Sequence, residues 1–276
     1  MTDSDTTSIT TPDLSSDQFQ RVSRLLHDYC GIFLQKGKEG LVKSRLIKRL
    51  HLLGMPTFKQ YLSHVASTAG TTELTAMIDA LTTNKTNFFR EPQHFEFIKR
   101  RLVPESAANG QPPCIWSAGC SSGEEPYSLA ITLIEGLPPA MAAKARVLAT
   151  DISTRVIEIA REAIYSAESL RDVPLQLVRT HFTAEAESYR VHTRVRAAVR
   201  FAHLNLIRPW PMRGPFDAIF CRNVMIYFDR PTQQELVRRF VSILRPGGYL
   251  FVGHAESISA AGQGLRYVQP AVYLKN

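Results

Sequence analysis

Apolar positions recur at helical spacing through the first hundred residues, and short apolar runs replace them further on. Phe19, Val22, Leu25, Leu26 and Tyr29 lie behind Ser15 or Ser16 as a cap and predict a helix that Gly31 ends. Val42, Leu46, Leu50 and Leu53 form the apolar stripe of a second helix. Helices over 58–65 and 73–81 complete a small helical domain, and Phe95, Ile98 and Leu102 point inward from a helix over 93–102. The runs 115–118, 145–150, 201–206, 216–220 and 249–253 are bounded by turn residues and read as buried strands. They alternate with helices over 127–137, 154–163 and 233–244, the pattern of a mostly parallel sheet covered on both faces. The last run, 267–274, follows a loop too short for a crossover helix and is expected to be antiparallel. Residues 165–200 break the rhythm: Tyr189-Arg-Val-His-Thr-Arg-Val-Arg alternates polar and apolar positions and predicts a small antiparallel β-subdomain inserted at about 181–203. The expected organisation is a flexible tail (1–13), a helical domain (14–82) and an α/β domain (83–276).

Composition adds a sign. The 276 residues carry 33 Lys and Arg against 25 Asp and Glu, a net charge of +8 that favours an acidic partner. Much of the excess lies in Lys36, Lys38, Lys43, Arg45, Lys48, Arg49 and Lys59, set against Glu39 alone, so the second helix is expected to display a basic outer face. The four cysteines show no C-x-x-C spacing and the histidines no H-E-x-x-H, which argues against structural zinc and a disulfide framework. No metal is expected. The polar N-terminus and the lack of a long apolar run lead to the expectation of a cytoplasmic protein with no membrane insertion.

The chemistry gathers at Cys114-Ile-Trp-Ser-Ala-Gly-Cys-Ser-Ser-Gly-Glu-Glu-Pro-Tyr127. Strand, small-residue turn and helix N-terminus in that order make a nucleotide-type crevice, and Pro126 suits the first turn of the helix. The turn is neither G-x-G-x-x-G nor a Gly-Lys-Ser/Thr phosphate loop. Glu124 and Glu125 would repel a pyrophosphate. They read either as first-turn partners of the helix dipole or as contacts to a ligand with hydroxyls and a positive centre, such as S-adenosylmethionine (SAM). Asp151 ends the second strand, where such folds hold a ribose diol. Asn205 stands near the end of another strand. Arg222, Asn223 and Tyr227 follow the strand 216–220, and Asn84, Thr86 and Arg90 are dense donors beside Phe88-Phe89, whose rings need burial.

An alternating sheet closed by an antiparallel strand, with an acid on strand two and no phosphate loop, is the organisation of SAM-dependent methyltransferases. Thr83-Asn-Lys-Thr-Asn-Phe-Phe-Arg-Glu91, Ser117-Ala-Gly-Cys-Ser-Ser-Gly-Glu-Glu-Pro-Tyr-Ser128, Ala149-Thr-Asp-Ile152, Phe216-Asp-Ala-Ile-Phe-Cys-Arg-Asn-Val-Met-Ile-Tyr-Phe228 and Gly253-His-Ala-Glu-Ser257 resemble the motifs of the CheR family, the chemotaxis receptor methyltransferases. The resemblance runs from about Leu14 to the C-terminus. It implies a Rossmann-like methyltransferase sheet with its helical N-terminal domain, and methylation of glutamates on the cytoplasmic coiled coil of chemoreceptors, giving glutamyl methyl esters and S-adenosylhomocysteine.

Carried over by position, the resemblance implies that Asn84, Thr86 and Arg90 hold the methionine end of SAM. Glu125 and Asp151 would take its ribose and adenosine side, Asn205 and Leu206 its adenine, and Asn223 would line the cofactor. Arg222 and Tyr227 would orient the incoming carboxylate, with Arg222 also beside the cofactor. Lys43, Arg45, Lys48 and Arg49 would dock the acidic receptor. Some members grip a receptor-tail peptide through glycines in the β-subdomain loop; Phe182-Thr-Ala-Glu-Ala-Glu-Ser-Tyr189 has none, so tether binding is not expected, nor is nucleic-acid binding, and the protein is expected to be a monomer. A glutamate carboxylate is ionised at neutral pH, so the reaction needs no general base, which accounts for the absence of a nucleophile–His–Asp arrangement. An RNA or DNA methyltransferase would share the cofactor fold and use the positive charge, and a SAM-binding regulator would share the cofactor site without turnover.

Overall fold

The computed structural model describes residues 12–82, 84–256, 258 and 262–276. The expected flexible tail, but for Pro12 and Asp13, lies outside them, as do Thr83 and Ser257 of the quoted motifs. The chain divides into two compact units, 1–83 and 84–276.

The first unit is helical: α1 (Ser16–Cys30), α2 (Glu39–Leu52), α3 (Phe58–Val65) and α4 (Thr71–Leu81). Ser15 caps α1 through a capping box, its hydroxyl accepting from Gln18 N while the Gln18 side chain accepts from Ser15 N, and Gly31 closes the helix in the left-handed conformation. Val42, Leu46 and Leu50 are fully buried, whereas Leu53, the fourth member of the expected stripe, is 37% exposed just past the end of α2. The basic face of α2 is largely not displayed. Arg49 makes a bidentate pair with buried Glu73 (3.0 and 2.6 Å), which also accepts from Tyr61 Oη at 2.8 Å. Arg45 donates to the carbonyls of Leu81 (2.7 Å) and Thr82 (3.1 Å) at the end of α4, and Lys43 pairs with Asp13 at 2.8 Å. Of the four expected docking residues, Lys48 alone stands exposed. A carboxylate and helix-end carbonyls across the unit attract the long side chains inward, a pairing the helix's own pattern does not reveal.

The second unit runs α5 (Gln93–Phe97), a π turn, α6 (Val103–Asn109), β1 (Cys114–Ala118), α7 (Glu124–Gly136), α8 (Pro139–Ala142), β2 (Arg146–Asp151), α9 (Thr154–Glu162), β3 (Ile164–Ser166), α10 (Leu175–His181), β4 (Phe182–Glu185), β5 (Ser188–Val191), α11 (Thr193–Ala197), β6 (Val199–His203), β7 (Phe216–Cys221), α12 (Arg230–Ile243), β8 (Leu244–Val252), β9 (Leu265–Gln269) and β10 (Val272–Lys275). The main sheet has the order β6-β2-β1-β7-β8-β10-β9, parallel through β8, with β10 antiparallel to β8 and to β9. The expected single last strand is thus a hairpin, turned at Ala271 with φ +61°. Strand order reverses at β1, so the crevice beyond the carboxyl ends of β1, β2 and β7 is where this topology puts a ligand.

The inserted subdomain is also drawn differently. Its three antiparallel strands, β3-β5-β4, span residues 164 to 191, so the expected bounds of about 181–203 start too late and overrun into β6 (Val199–His203), which pairs with β2 at the edge of the main sheet in keeping with the core strand expected over 201–206. The expected second strand after β5 is the helix α11. A run of half-buried residues alternates equally well as a surface helix turn or a strand, and only the partner strand decides. The core sits between β1, β2, β7 and β8 and the helices on both faces, with Trp116, Tyr127, Phe220 and Phe251 fully buried. Phe88 reaches it, its ring 4.8 Å from that of Tyr165 and 5.4 Å from that of Phe182.

Candidate active site

β1 ends at Ala118, and the chain turns through Gly119, Ser121 and Gly123 at φ +86°, +50° and +98° into α7. A Cβ on Gly119 would lie 2.3 Å from Val224 Cγ2, so this position brings the turn against the loop after β7. Asp151, at the tip of β2, is 8% exposed and accepts from Ser121 N (2.8 Å) and Ser153 N (2.9 Å). Ser121 Oγ donates in turn to the Asn84 carbonyl at 2.8 Å. Asn84, Ser121 and Asp151 therefore form one chain across the turn, and Leu204 N, bonded to the Asp151 carbonyl at 2.9 Å, brings the 204–206 segment beside it. Within that segment Asn205 Oδ1 accepts from Ile207 N (3.2 Å), and the Leu206 carbonyl accepts from Trp210 Nε1 and Arg239 Nη1.

A second chain centres on Arg222. Its side chain is 2% exposed, with Nη1 3.0 Å from Glu125 Oε2 and Nη2 3.1 Å from Glu91 Oε2, and Nη2 also donates to the Arg90 carbonyl. Glu125 Oε1 accepts from Ser117 Oγ at 2.6 Å. This revises the expectation for Arg222: its fork is filled by the protein's own carboxylates, so it holds Glu125 and Glu91 rather than lying open to an incoming one. Burial pushes the Glu125 carboxyl above its ordinary value, and the Arg222 charge only partly opposes this. For Glu91 burial acts in the same direction, but Arg222 and the His254 amide outweigh it and hold the group below the usual range. Glu124, with its carboxylate on Ser122 Oγ at 2.7 Å, is also raised by burial.

Thr86 and Arg90 are half-buried in the 84–91 loop, where Arg90 Nη1 donates to the Lys85 carbonyl at 3.1 Å. The loop holds Phe89 and Glu91 at φ +53° and +56°, with Phe89 N anchored on Ser128 Oγ at 3.0 Å. Tyr227 is half-buried in a single 3₁₀ turn, its amide on the Val224 carbonyl at 3.2 Å, and Asn223 takes φ +59°. Lys43, Arg45, Lys48 and Arg49 belong to the other unit. The sequence reading assigned no role to Glu91, Ser117 or Glu256. Glu91 meets Arg222 131 positions along the chain, and the loop amides that Glu256 accepts are 33 and 30 positions away.

The carboxylates suit a cationic, hydroxyl-bearing ligand. Glu91, Glu124, Glu125 and Asp151 surround the turn, and the buried Arg222 guanidinium is already shared between two of them, which leaves an excess of negative charge beside carboxylate acceptors. Glu91, His94 and His254 lie close enough to hold a cation, but Glu91 Oε2 faces Arg222, and burial and then the Arg222 charge push the fully buried His94 imidazole down to about 3.

Two family profiles match, the CheR methyltransferase all-alpha domain over residues 17–82 and the CheR methyltransferase SAM binding domain over residues 84–273. The chain belongs to the CheR methyltransferase family. As in other CheR proteins, the second unit is a SAM-binding methyltransferase domain whose product is S-adenosylhomocysteine. The chain is 44% identical over 253 residues to the chemotaxis protein methyltransferase of Klebsiella aerogenes, covering 89% of this chain and 85% of that protein. It is 43% identical over 251 residues to the chemotaxis protein methyltransferase of Escherichia coli (89% and 86%) and 41% identical over 266 residues to chemotaxis protein methyltransferase 2 of Pseudomonas aeruginosa (93% and 92%). Among the described residues, no helix of this CheR protein is long and apolar enough to cross a membrane.

Proposed function

We propose that this protein transfers the methyl group of SAM to glutamate side chains on the cytoplasmic coiled coil of chemoreceptors, in the cytoplasm, giving glutamyl methyl esters. The observation that carries the proposal is the acid-rich crevice at the β1/β7 switch point, built from the motifs of a CheR methyltransferase.

SAM supplies an electrophilic methyl on a sulfonium, which a carboxylate oxygen can take without prior deprotonation. The residues of the chain then have three tasks. Asp151, rigidly held by two backbone amides, and Glu125, held by Ser117 and Arg222, offer acceptors to ribose hydroxyls. Asn205 and Leu206 would flank the adenine, while Asn84, Thr86, Arg90 and Asn223 would border the methionine end. Tyr227 offers a phenolic donor to the incoming glutamate, and Arg222 acts through the carboxylates it neutralises. Catalysis on this account is alignment of carboxylate, methyl and sulfur, which positioning alone can accelerate greatly. In docking the acidic receptor, exposed Lys48 takes the part that Arg45 and Arg49 are too committed to play.

The test is incubation with methyl-labelled SAM and a purified receptor cytoplasmic fragment. Label on the fragment that mild base releases as methanol is the expected outcome, because esters hydrolyse where N-methyl and ribose methyl groups do not. Base-stable label, or label on nucleic acid instead, would refute the proposal in favour of the nucleic-acid reading.

A further inference from the structure

His254 of the Gly253-His-Ala-Glu motif touches Glu91, whereas Glu256 reaches the loop that carries Arg222 and Tyr227. Its carboxylate is buried, 8% exposed, and among the described residues no ion pair is made with it. It accepts three backbone N–H groups instead: Asn223 N at 2.8 Å and Gly253 N at 2.6 Å on Oε2, and Ile226 N at 3.1 Å on Oε1. Two of the three donors belong to the loop, and one of them is on Asn223, whose left-handed backbone (φ +59°) asparagine tolerates better than other residues with a Cβ and which turns its N–H towards the carboxylate.

The acceptors of the same loop are held from the other side. Gln233, on the first turns of α12, donates through Nε2 to the carbonyls of Met225 (2.8 Å) and Phe228 (3.0 Å). Asp229, between them, caps α12 through Thr232 N at 3.0 Å, which fixes where Gln233 starts. The loop's single 3₁₀ turn pairs Tyr227 N with the Val224 carbonyl and Phe228 N with the Met225 carbonyl, and the Glu256 and Gln233 side chains take up further groups of its backbone. Gly253 completes the fit: a Cβ there would lie 2.6 Å from Asn223 Nδ2 and 2.9 Å from both Asn223 N and Glu256 Oε2.

We propose that Glu256 and Gln233 are positioning residues for methyl transfer, a clamp on the N–H groups and carbonyls of the 222–228 loop that sets Tyr227 and Arg222 relative to the cofactor turn. The inference rests on the reading of this loop as the methyl-transfer site. Val224, packed against Gly119, carries the loop's placement to that turn.

Glu256→Gln keeps volume but replaces one acceptor oxygen with an amide, so at least one of the three N–H groups loses its partner. Gly253→Ala strains the clamp without altering a polar group, and Gln233→Ala releases the carbonyl side. For each variant, turnover with SAM and a receptor fragment is measured with S-adenosylhomocysteine affinity by calorimetry and amide hydrogen exchange at Asn223 and Ile226. The expected result for Glu256→Gln and Gly253→Ala is a kcat lower by about ten- to a hundredfold, the scale of a misplacement near 1 Å. S-adenosylhomocysteine affinity should stay within about threefold, and protection at the two amides should fall by about tenfold or more. Gln233→Ala should lower kcat with the same retained affinity. Full turnover in Glu256→Gln and Gly253→Ala, or lost turnover with both amides still protected, overturns the inference. A wild-type protein that methylates no receptor fragment would overturn the proposed function alone, and loss or retention of amide protection in Glu256→Gln would still decide whether the clamp exists.

Discussion

Replacing Arg222 by Met keeps an unbranched apolar stem and removes the guanidinium and the charge shared by Glu91 and Glu125. Both carboxylates are nearly covered, 14% and 13% exposed, and the guanidinium they lose is 2% exposed. Removing one member of a buried ion pair costs about 3–5 kcal/mol when the charge left behind must stay charged. Here one of the two can instead take a proton and donate it to its neighbour, and from a reference value near 4.3 that costs about 3.7 kcal/mol at pH 7 and about 1 kcal/mol at pH 5. Protonation therefore caps the loss at about 3–4 kcal/mol at pH 7. The cap sets the pH dependence as well. In the wild type, Glu91, held below its ordinary value, contributes stability that is present above its unfolded value and lost as the pH falls through its folded one. In the variant, burial raises the pair, and its penalty disappears on acidification. Both effects narrow the gap between the proteins as the pH drops. Urea unfolding followed by circular dichroism at pH 7 and pH 5 reads it directly. A loss below about 1 kcal/mol at pH 7, or an equal loss at both pH values, would refute the buried triad, since an exposed pair contributes no more than that.

Asp151→Asn leaves either Ser121 N or Ser153 N facing an amide in place of an oxygen and removes a charged acceptor, and calorimetry should find S-adenosylhomocysteine bound about ten- to a hundredfold more weakly. Lys48→Glu should lower kcat/KM for a receptor fragment by about three- to tenfold, an effect that fades in high salt; Arg49→Ala should cost stability instead, because it strands buried Glu73. The acid excess in the crevice predicts ordered binding, with a saturating cationic cofactor analogue such as sinefungin tightening receptor-fragment affinity, and a fragment that binds equally with and without it would contradict the charge argument. His94 is buried neutral, held down to about 3 by burial and then by Arg222, so the unfolded chain takes up its proton near 6.5 and the folded one does not. Stability should therefore fall by about 1.4 kcal/mol per pH unit below 6.5, and His94→Leu should flatten that slope in urea titrations at graded pH.

The layered α/β architecture was legible because its signals are local. Gly123, Glu124 and Pro126 mark the start of α7 within one turn, Ser15 and Gly31 bracket α1, and the runs of β1, β2 and β7 are too apolar to be anything but buried. What the sequence concealed depends on contacts between distant positions. Nothing around Arg222 announces that Glu91 lies 131 positions away along the chain and within ion-pair distance. Nor does the basic helix announce that Glu73 and the end of α4 draw Arg49 and Arg45 inward. The bounds of the insert were hard to read for a related reason: the alternation over 189–196 continues smoothly towards β6, and only pairing with β3 and β4 on one side and β2 on the other separates the small sheet from the main one. The motif residues proposed for the site stand out in the sequence, whereas the side chains that hold them do not, since a carboxylate bonded to backbone amides leaves no pairing pattern there.

The central claim is that the acceptor is a carboxylate needing no activation, aligned with a sulfonium over the β1/β7 crevice. Mass spectrometry of a receptor cytoplasmic fragment after incubation with SAM and this protein tests it most directly. The account predicts a methyl ester on glutamate side chains of the acidic helices, absent when Tyr227 is replaced by Phe or when the acceptor glutamate is replaced by alanine. A methyl group found on lysine, arginine or a terminal amine, with the glutamates unmodified, would contradict it.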